Sequence, residues 1–298
     1  MSTRIVISAP RPAPFFAPLF VAIDKGFLAE QGLEGVITYG LGLDGMVKGE
    51  VDFASGMAAY KQFLGGMPVR QICGISSRES SHVLMARPEI ESIEQLEHIL
   101  LPGGGSSEFQ NERFITEVTN ILASNGVDLV TSEIETQAIE GSHKEQWQML
   151  NEGIGDAATL GAPWSIIAKK AGYRNLGHES DYSPSPSGAG IYVSPETIAK
   201  NQDAVQGFVR AYVKSMRYCQ ENVEGTLETL LKYSASWGVE TPELARAAYD
   251  EVSPYWRLEP DSGVLDKAMQ KTCDHMGVPA VSVREFLDTR FLEEALRD

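Results

Sequence analysis

The sequence is poor in cysteine, in basic residues and in long apolar runs, and each shortage removes a class of function. Three cysteines occur in 298 residues, Cys73, Cys219 and Cys273. They are scattered, odd in number and in no C-x-x-C spacing, so neither a disulfide framework nor a zinc site is indicated; small buried apolar residues are the expected role. Lys and Arg number 25 against 41 Asp and Glu, a formal net charge of −16. Nucleic acid and anionic membrane both demand clustered basic side chains that displace counterions, and no such cluster exists, so neither is expected as a partner. The best candidate for a membrane span, residues 13–23 (APFFAPLFVAI), contains two prolines. It is far shorter than the roughly 20 apolar residues a span requires, so no membrane insertion is expected.

Signal and catalytic motifs are also missing. Met1–Arg4 runs straight into a strand-like Ile5-Val6-Ile7 with no basic region, apolar region or cleavage site ahead of it. As written, the chain is expected in the cytoplasm; a leader removed beforehand would make it periplasmic. No Walker loop, G-x-G-x-x-G, H-E-x-x-H or G-x-S-x-G occurs, and the five histidines, His82, His98, His143, His178 and His275, show no metal-ligand spacing. No cofactor and no metal is expected.

What is present is alternation. Ile5–Ser8 reads as a strand, Phe15–Lys25 as a helix ended by Gly26, and Val36–Tyr39 and Val51–Ala54 as further strands. Such alternation points to a parallel sheet with crossover helices. A second stretch repeats the plan: Phe114, Ile115, Val118, Ile121 and Leu122 make a helical stripe closed by Asn125-Gly126, after which Val127–Ile134 reads as a strand. Further on, GIGDAA at 153–158 echoes GEVDFA at 49–54, the two Asp residues lying 104 positions apart. Two copies in matching order favour two similar α/β lobes. The last third is helical, with starts marked by Ser194-Pro195 and Thr241-Pro242. Between them and the second repeat, DYSPSPSGAG at 181–190 suits a hinge or a plain loop.

The order of motifs resembles the ABC-transporter substrate-binding proteins of the nitrate, sulfonate, taurine and thiamine-pyrimidine type. It is carried by APFFAPLFVAIDKGFLAEQGLEG, VKGEVDFASG, VLMARPEIESIEQL, GGGSSE, LNEGIGDAATLGAPWSIIAKKAGY and GIYVSPETIAKNQDAVQGFVRAYVKSM, and spans the chain from Ile5 onward. The resemblance implies an α/β, two-lobed type II periplasmic-binding-protein-like fold with two crossover segments, near Arg87 and near Gly188–Tyr192. Lobe one would be residues 1–88 and 190–298, and lobe two residues 89–189. A small organic molecule, anionic or polar, would bind in the interdomain cleft. An ABC permease would be a partner only if the chain is exported. Cleft-facing residues carried over by position are Arg11, Phe15 and Phe16 after the first strand, Leu43 after the second, Ser55 and Gly56 after the third, then Ser81 and His82. Gly105, Ser106 and Ser107, Gly161 and Trp164, and Ser187 and Gly188 complete the set.

Enzymes also occur on this fold, and their residues give a check. The thiamine-pyrimidine synthases use a Lys and a His after the third strand and a cysteine-rich run near the second crossover; here Gly56, Tyr60 and SPSGAG stand in those places. The aromatic desulfinase uses a Cys where this chain has RPAPFF. A cytosolic enzyme on the same fold, a decarboxylase or other lyase or a thiamine-pyrimidine-pathway-like enzyme, acting on a small carboxylate or aromatic substrate, remains the alternative to a receptor. Arg78, Glu79 and His82, and likewise Glu140 and His143, read either as acid–base groups or as surface turns. The turn Gly104–Ser107 precedes the helix of Phe114 and Val118. It offers backbone N–H groups and two hydroxyls to an anionic ligand, or merely caps the helix.

Overall fold

Short apolar runs make the inner strands Val83–Ala86 and Ala189–Val193, buried throughout as expected for strands covered on both faces. The chain, seen in a computed structural model, is described over residues 2–10, 13–57, 59–77, 82–102, 108–140, 143–178, 188–234 and 238–297. It divides into two units: Met1–Glu79, Ser185–Tyr233 and Ser253–Asp298 form the first, and Ser80–Pro184 with Ser234–Val252 the second.

The first unit holds a five-stranded sheet of β1 (Thr3–Ala9), β2 (Leu33–Tyr39), β3 (Phe53–Met57), β4 (Arg70–Ser76) and β10 (Ala189–Val193), in the order β2-β1-β3-β10-β4. β1 runs parallel to β2 and β3, while β10 is antiparallel to both β3 and β4. The second unit's sheet contains β5 (Val83–Ala86), β6 (His98–Pro102), β7 (Glu135–Ile139), β8 (Ala157–Leu160) and β9 (Arg174–His178), in the order β7-β6-β8-β5-β9. β6 is parallel to β7 and β8, and β5 is antiparallel to β8 and β9. The two sheets therefore share one plan, with the antiparallel strand fourth in each.

Alternation sorts the second sheet's side chains into two cores. Leu84, Ala86, Ile99, Leu101 and Ala157 pack against Val118, Ile121 and Leu122 of the helix Glu108–Ser124. Val83, Met85, Leu100, Ala158 and Leu160 face the other way, onto Leu150 of the helix His143–Asn151 and Ala168 of the helix Trp164–Lys170. In the first unit the long helix Gln202–Glu221 buries a stripe that includes Phe208 and Tyr212, and Phe208 stacks on Phe53 with ring centroids 4.1 Å apart. Cys73, Cys219 and Cys273 are all buried, and burial pushes the Cys219 thiol up to about 12.

The repeated Asp has a structural cause in each unit. Asp52, just before β3, accepts the Val6 N–H of β1 at 2.8 Å, and its own N–H donates to the Val6 carbonyl at 2.9 Å. Asp156, just before β8, accepts the N–H groups of Glu97 and His98 at 2.9 Å, while its N–H donates to the His98 carbonyl at 2.8 Å. Each carboxylate thus fastens the strand that follows it to a parallel neighbour, β3 to β1 and β8 to β6. Arg87 adds an ion pair to Asp156 at 3.0 Å.

The two-lobed α/β fold is borne out, and several expectations need correction. Residues 127–134 form turns instead of a strand: the Asp128 side chain accepts the Val130 N–H at 2.9 Å, its carbonyl takes the N–H groups of Thr131 and Ser132, and the strand begins only at Glu135. The helix expected from Phe15 starts at Ala17, because Pro14–Phe16 make a single 3-10 turn. Residues 234–252 group with the second unit, not with lobe one, and the chain consequently passes between units four times, not twice. The reason is packing within the second unit: Gly238 sits against the Trp164 ring, leaving only 2.4 Å between its would-be Cβ and Trp164 Cζ2, and the Ser165 hydroxyl donates to Glu251 at 3.3 Å. The helix starts at Ser194 and Thr241 are as read, with both hydroxyls accepting a backbone N–H of the first turn.

If the carboxylates fasten the strands, Asp156→Ala strips an acceptor from two backbone N–H groups and from Arg87. The expected loss in a urea melt is about 2–3 kcal/mol, against less than about 1 kcal/mol for Glu89→Ala, whose partner is the same arginine at the surface.

Candidate functional site

In open α/β sheets the chain presents its variable loops beyond the carboxyl ends of the parallel strands. In the first unit, Ser8 near the end of β1 ties its neighbours together. Its hydroxyl accepts the Gly42 N–H after β2, and its carbonyl accepts the Ser55 hydroxyl of β3, both at 2.9 Å. Gly56 follows at φ 151, where a Cβ would stand 3.2 Å from Pro10 Cγ, so the two chain segments meet at a distance only glycine allows comfortably. Gly188 is more constrained still: at φ 61, an added Cβ would fall 1.8 Å from the Ser76 carbonyl oxygen.

The aromatic residues expected to face a ligand are partly committed to the scaffold. Phe16 is buried, and Phe15 meets it edge-on at 5.2 Å. The Phe15 carbonyl accepts the indole N–H of fully buried Trp256 at 3.1 Å, a partner 241 residues away that no local pattern announces. Leu43 packs at the edge of the core formed by Met46, Val51 and Tyr60. Trp164 is half-buried and lies on Gly238.

In the second unit a chain of buried polar side chains crosses the end of the sheet. His82 stands immediately before β5, and its Nδ1 is 3.1 Å from Glu117 Oε2 on the Glu108–Ser124 helix. Its Nε2 lies 3.0 Å from the Nε2 of His143, at the start of the His143–Asn151 helix. His143 Nδ1 in turn faces Gln146 Oε1 at 2.9 Å and the Thr159 carbonyl at 3.1 Å, and Gln146 Nε2 donates to the Leu100 carbonyl at 3.1 Å. His82, Glu117 and His143 are exposed by only 6, 3 and 5%. Gly161, at the carboxyl end of β8, lies over both rings; a Cβ there would approach His82 Cδ2 to 3.1 Å and His143 Nε2 to 3.3 Å.

The structure therefore brings His82 and Gly161 together and adds His143, Glu117 and Gln146. A glutamate that reaches His82 is Glu117, 35 residues on, while Glu79 lies outside the described residues. One sequence signal pointed to it: Glu117 lies inside the apolar stripe of Phe114, Val118 and Ile121, where a lone carboxylate needs a buried partner. Arg11, Ser81, Gly105, Ser106, Ser107 and Ser187 lie outside the described residues. Among the described residues no group of three or more His, Cys, Asp or Glu could hold a metal ion.

The fold has known counterparts. A family model described as NMT1/THI5 like matches residues 13–225. The chain belongs to the NMT1/THI5-like family. Among solved structures, the chain resembles the alkanesulfonate-binding protein SsuA from Xanthomonas axonopodis pv. citri bound to MOPS, with a TM-score of 0.72 at 15% identity over 97% of this chain and 98% of that one. The periplasmic nitrate-binding protein NrtA from Synechocystis PCC 6803 gives 0.69 at 12% identity, over 99% and 89% of the two chains. The desulfurization enzyme DSZB gives 0.66 at 15% identity, over 99% of each. No curated protein matches the sequence. In this NMT1/THI5-like chain, no helix among the described residues is long and apolar enough to cross a membrane.

Beside Trp164, the Glu251 carboxyl is pushed up from 4.5 to about 7 by burial, against smaller downward pulls from the Ser165 hydroxyl and Lys169. Because the folded value lies above the unfolded one, the folded state binds the extra proton between about pH 4.5 and 7, and stability falls as pH rises through that window. Replacing Glu251 by Gln removes the dependence. Relative to wild type, Glu251→Gln is expected to gain stability between pH 4 and pH 8, by at most about 3 kcal/mol, in paired thermal or urea melts.

Proposed function

We propose that the chain is a ligand-binding protein that takes one small organic molecule, anionic or strongly polar, in the manner of the binding components of ABC importers. The observation that supports this most is the whole-length likeness to the alkanesulfonate-binding and nitrate-binding proteins, which covers 97–99% of the chain. Both of those names describe receptors for small oxyanionic groups. The duplicated sheet plan agrees with it, since each unit offers glycine- and serine-bearing loops at the carboxyl ends of its strands.

On this reading the ligand meets Ser55 and Gly56, Gly161 and Trp164, and the stretch Gly105–Ser107, whose glycine lets the backbone N–H groups approach an oxyanion closely. Arg11, Phe15, Phe16, Leu43, Ser81, His82, Ser187 and Gly188 are the remaining candidates. A receptor of an importer works outside the cytoplasmic membrane with a permease, so the reading carries export and a permease partner with it. Residence in the cytoplasm belongs instead to a second reading, an enzyme on the same fold, which the likeness to DSZB and the buried pair of His82 and Glu117 favour.

The experiment is binding of ethanesulfonate, nitrate and benzoate by calorimetry to the wild type and to Ser106→Ala and Ser107→Ala, with thermal stability measured alongside. The receptor reading expects one of the three to bind at one per chain, and one serine variant to lose about tenfold in affinity at unchanged stability, a charge-assisted hydrogen bond being worth about 1.5–3 kcal/mol. Loss of stability with affinity unchanged would reduce the serines to helix caps. Consumption of benzoate would favour the enzyme.

A further inference from the structure

The hydrogen bonds around His82 and His143 need more protons than two neutral imidazoles supply. At one end, His143 Nδ1 faces the Thr159 carbonyl at 3.1 Å and Gln146 Oε1 at 2.9 Å. A backbone carbonyl only accepts, and the Gln146 amide is oriented by its own Nε2, which donates to the Leu100 carbonyl. His143 Nδ1 therefore carries a proton. At the other end, His82 Nδ1 faces the Glu117 carboxylate at 3.1 Å, which also only accepts. Between the rings, the two Nε2 atoms stand 3.0 Å apart and need one proton between them. Three gaps require three protons, and two neutral imidazoles carry two.

We infer that His82, His143 and Glu117 form a proton-holding site, in which the histidine pair binds one proton beyond its neutral complement and the Glu117 carboxylate balances the charge. With that proton on the imidazoles and Glu117 ionised, the charges of the three side chains sum to zero. That removes the large cost of an unbalanced ion at 3–6% exposure. Without that proton, either two lone pairs face each other across 3.0 Å or a lone pair faces a carboxylate. A metal ion fits less well: two imidazole nitrogens about 2.0–2.1 Å from a tetrahedral zinc stand roughly 3.3 Å apart. Among the residues whose side chains are described, other titratable groups on the packed elements are Lys144 and Glu145 beside His143, His98 of β6, Arg174 and His178 of β9, and Lys169 and Lys170 on the Trp164–Lys170 helix. Because the site joins the approach to β5 with two helices and the carboxyl end of β8, its proton is part of what holds the second unit's sheet end together. This goes beyond ligand binding and does not depend on it.

The test is the nitrogen-15 spectrum of the histidine rings in the full chain at pH 7, with signals assigned through His82→Gln and His143→Gln. The wild type is expected to show three ring N–H protons for the pair, one ring being an imidazolium or the two sharing that character. Glu117→Gln is the sharpest variant, because its amide donates to His82 Nδ1 where the carboxylate accepts. It is expected to fold and to show two neutral rings. Two neutral rings in the wild type would overturn the proposal, as would a retained imidazolium in Glu117→Gln. Metal-bound nitrogen shifts with one equivalent of metal by elemental analysis would replace the proton and also overturn it. If Glu117→Gln fails to fold, the wild-type spectrum decides alone.

Discussion

Each sheet of this protein is completed by an antiparallel strand in its fourth place, and the rest of the structure depends on how that strand arrives. β4 joins the first sheet only through β10, which begins at Ala189, 113 residues after β4 ends at Ser76. β9 likewise joins the second sheet only through β5, which enters directly after β4. Neither unit is a continuous stretch of chain, and the first cannot close its sheet until the chain has run through residues 80–184 of the second. Long-range closure of this kind is entropically costly and slow, and the buried strands offset it with continuous apolar contact on both faces.

The same arrangement fixes where chemistry is possible. Parallel strands share one carboxyl end, and the Asp52 and Asp156 carboxylates lock β3 to β1 and β8 to β6, so the loops that follow β3 and β8 start from rigid positions. Gly56 and Gly161 stand at those starts, each lying against a neighbour that a side chain would displace. In the first unit, Ser8 and Ser55 at the strand ends are neutral and bind backbone. The second unit instead buries an acid and two imidazoles. The two units thus share a scaffold and differ in electrostatics, which suits one to shape and hydrogen bonding and the other to holding charge.

Much of the fold was legible because it rests on local signals: apolar runs for strands, Gly26 and Gly126 with positive φ after helices, and hydroxyl caps at Ser194 and Thr241. The echo of Asp52 in Asp156 was visible as spelling, and its cause, a carboxylate taking a backbone N–H of the neighbouring strand, required the sheet. Val127–Ile134 was misread because its β-branched residues mask an Asp128 turn, and Val130 ends 89% exposed. The membership of residues 234–252 was invisible, since it depends on Trp164 meeting Gly238 and on Ser165 meeting Glu251, 86 residues apart. At the site, His82 and Gly161 were marked from the resemblance. Glu117 as their partner was not, because a contact between a helix face and a strand end has no fixed spacing.

The central claim is that this chain retains a small polar molecule. Its most direct test is electrospray mass spectrometry of the purified chain after incubation with a small-molecule cell extract, recorded under native and denaturing conditions. The account expects one added mass per chain in the native spectrum, absent after denaturation, and assignable to an anionic or strongly polar organic compound. The bare chain mass under both conditions, from an extract of a cell that makes the protein, would contradict it.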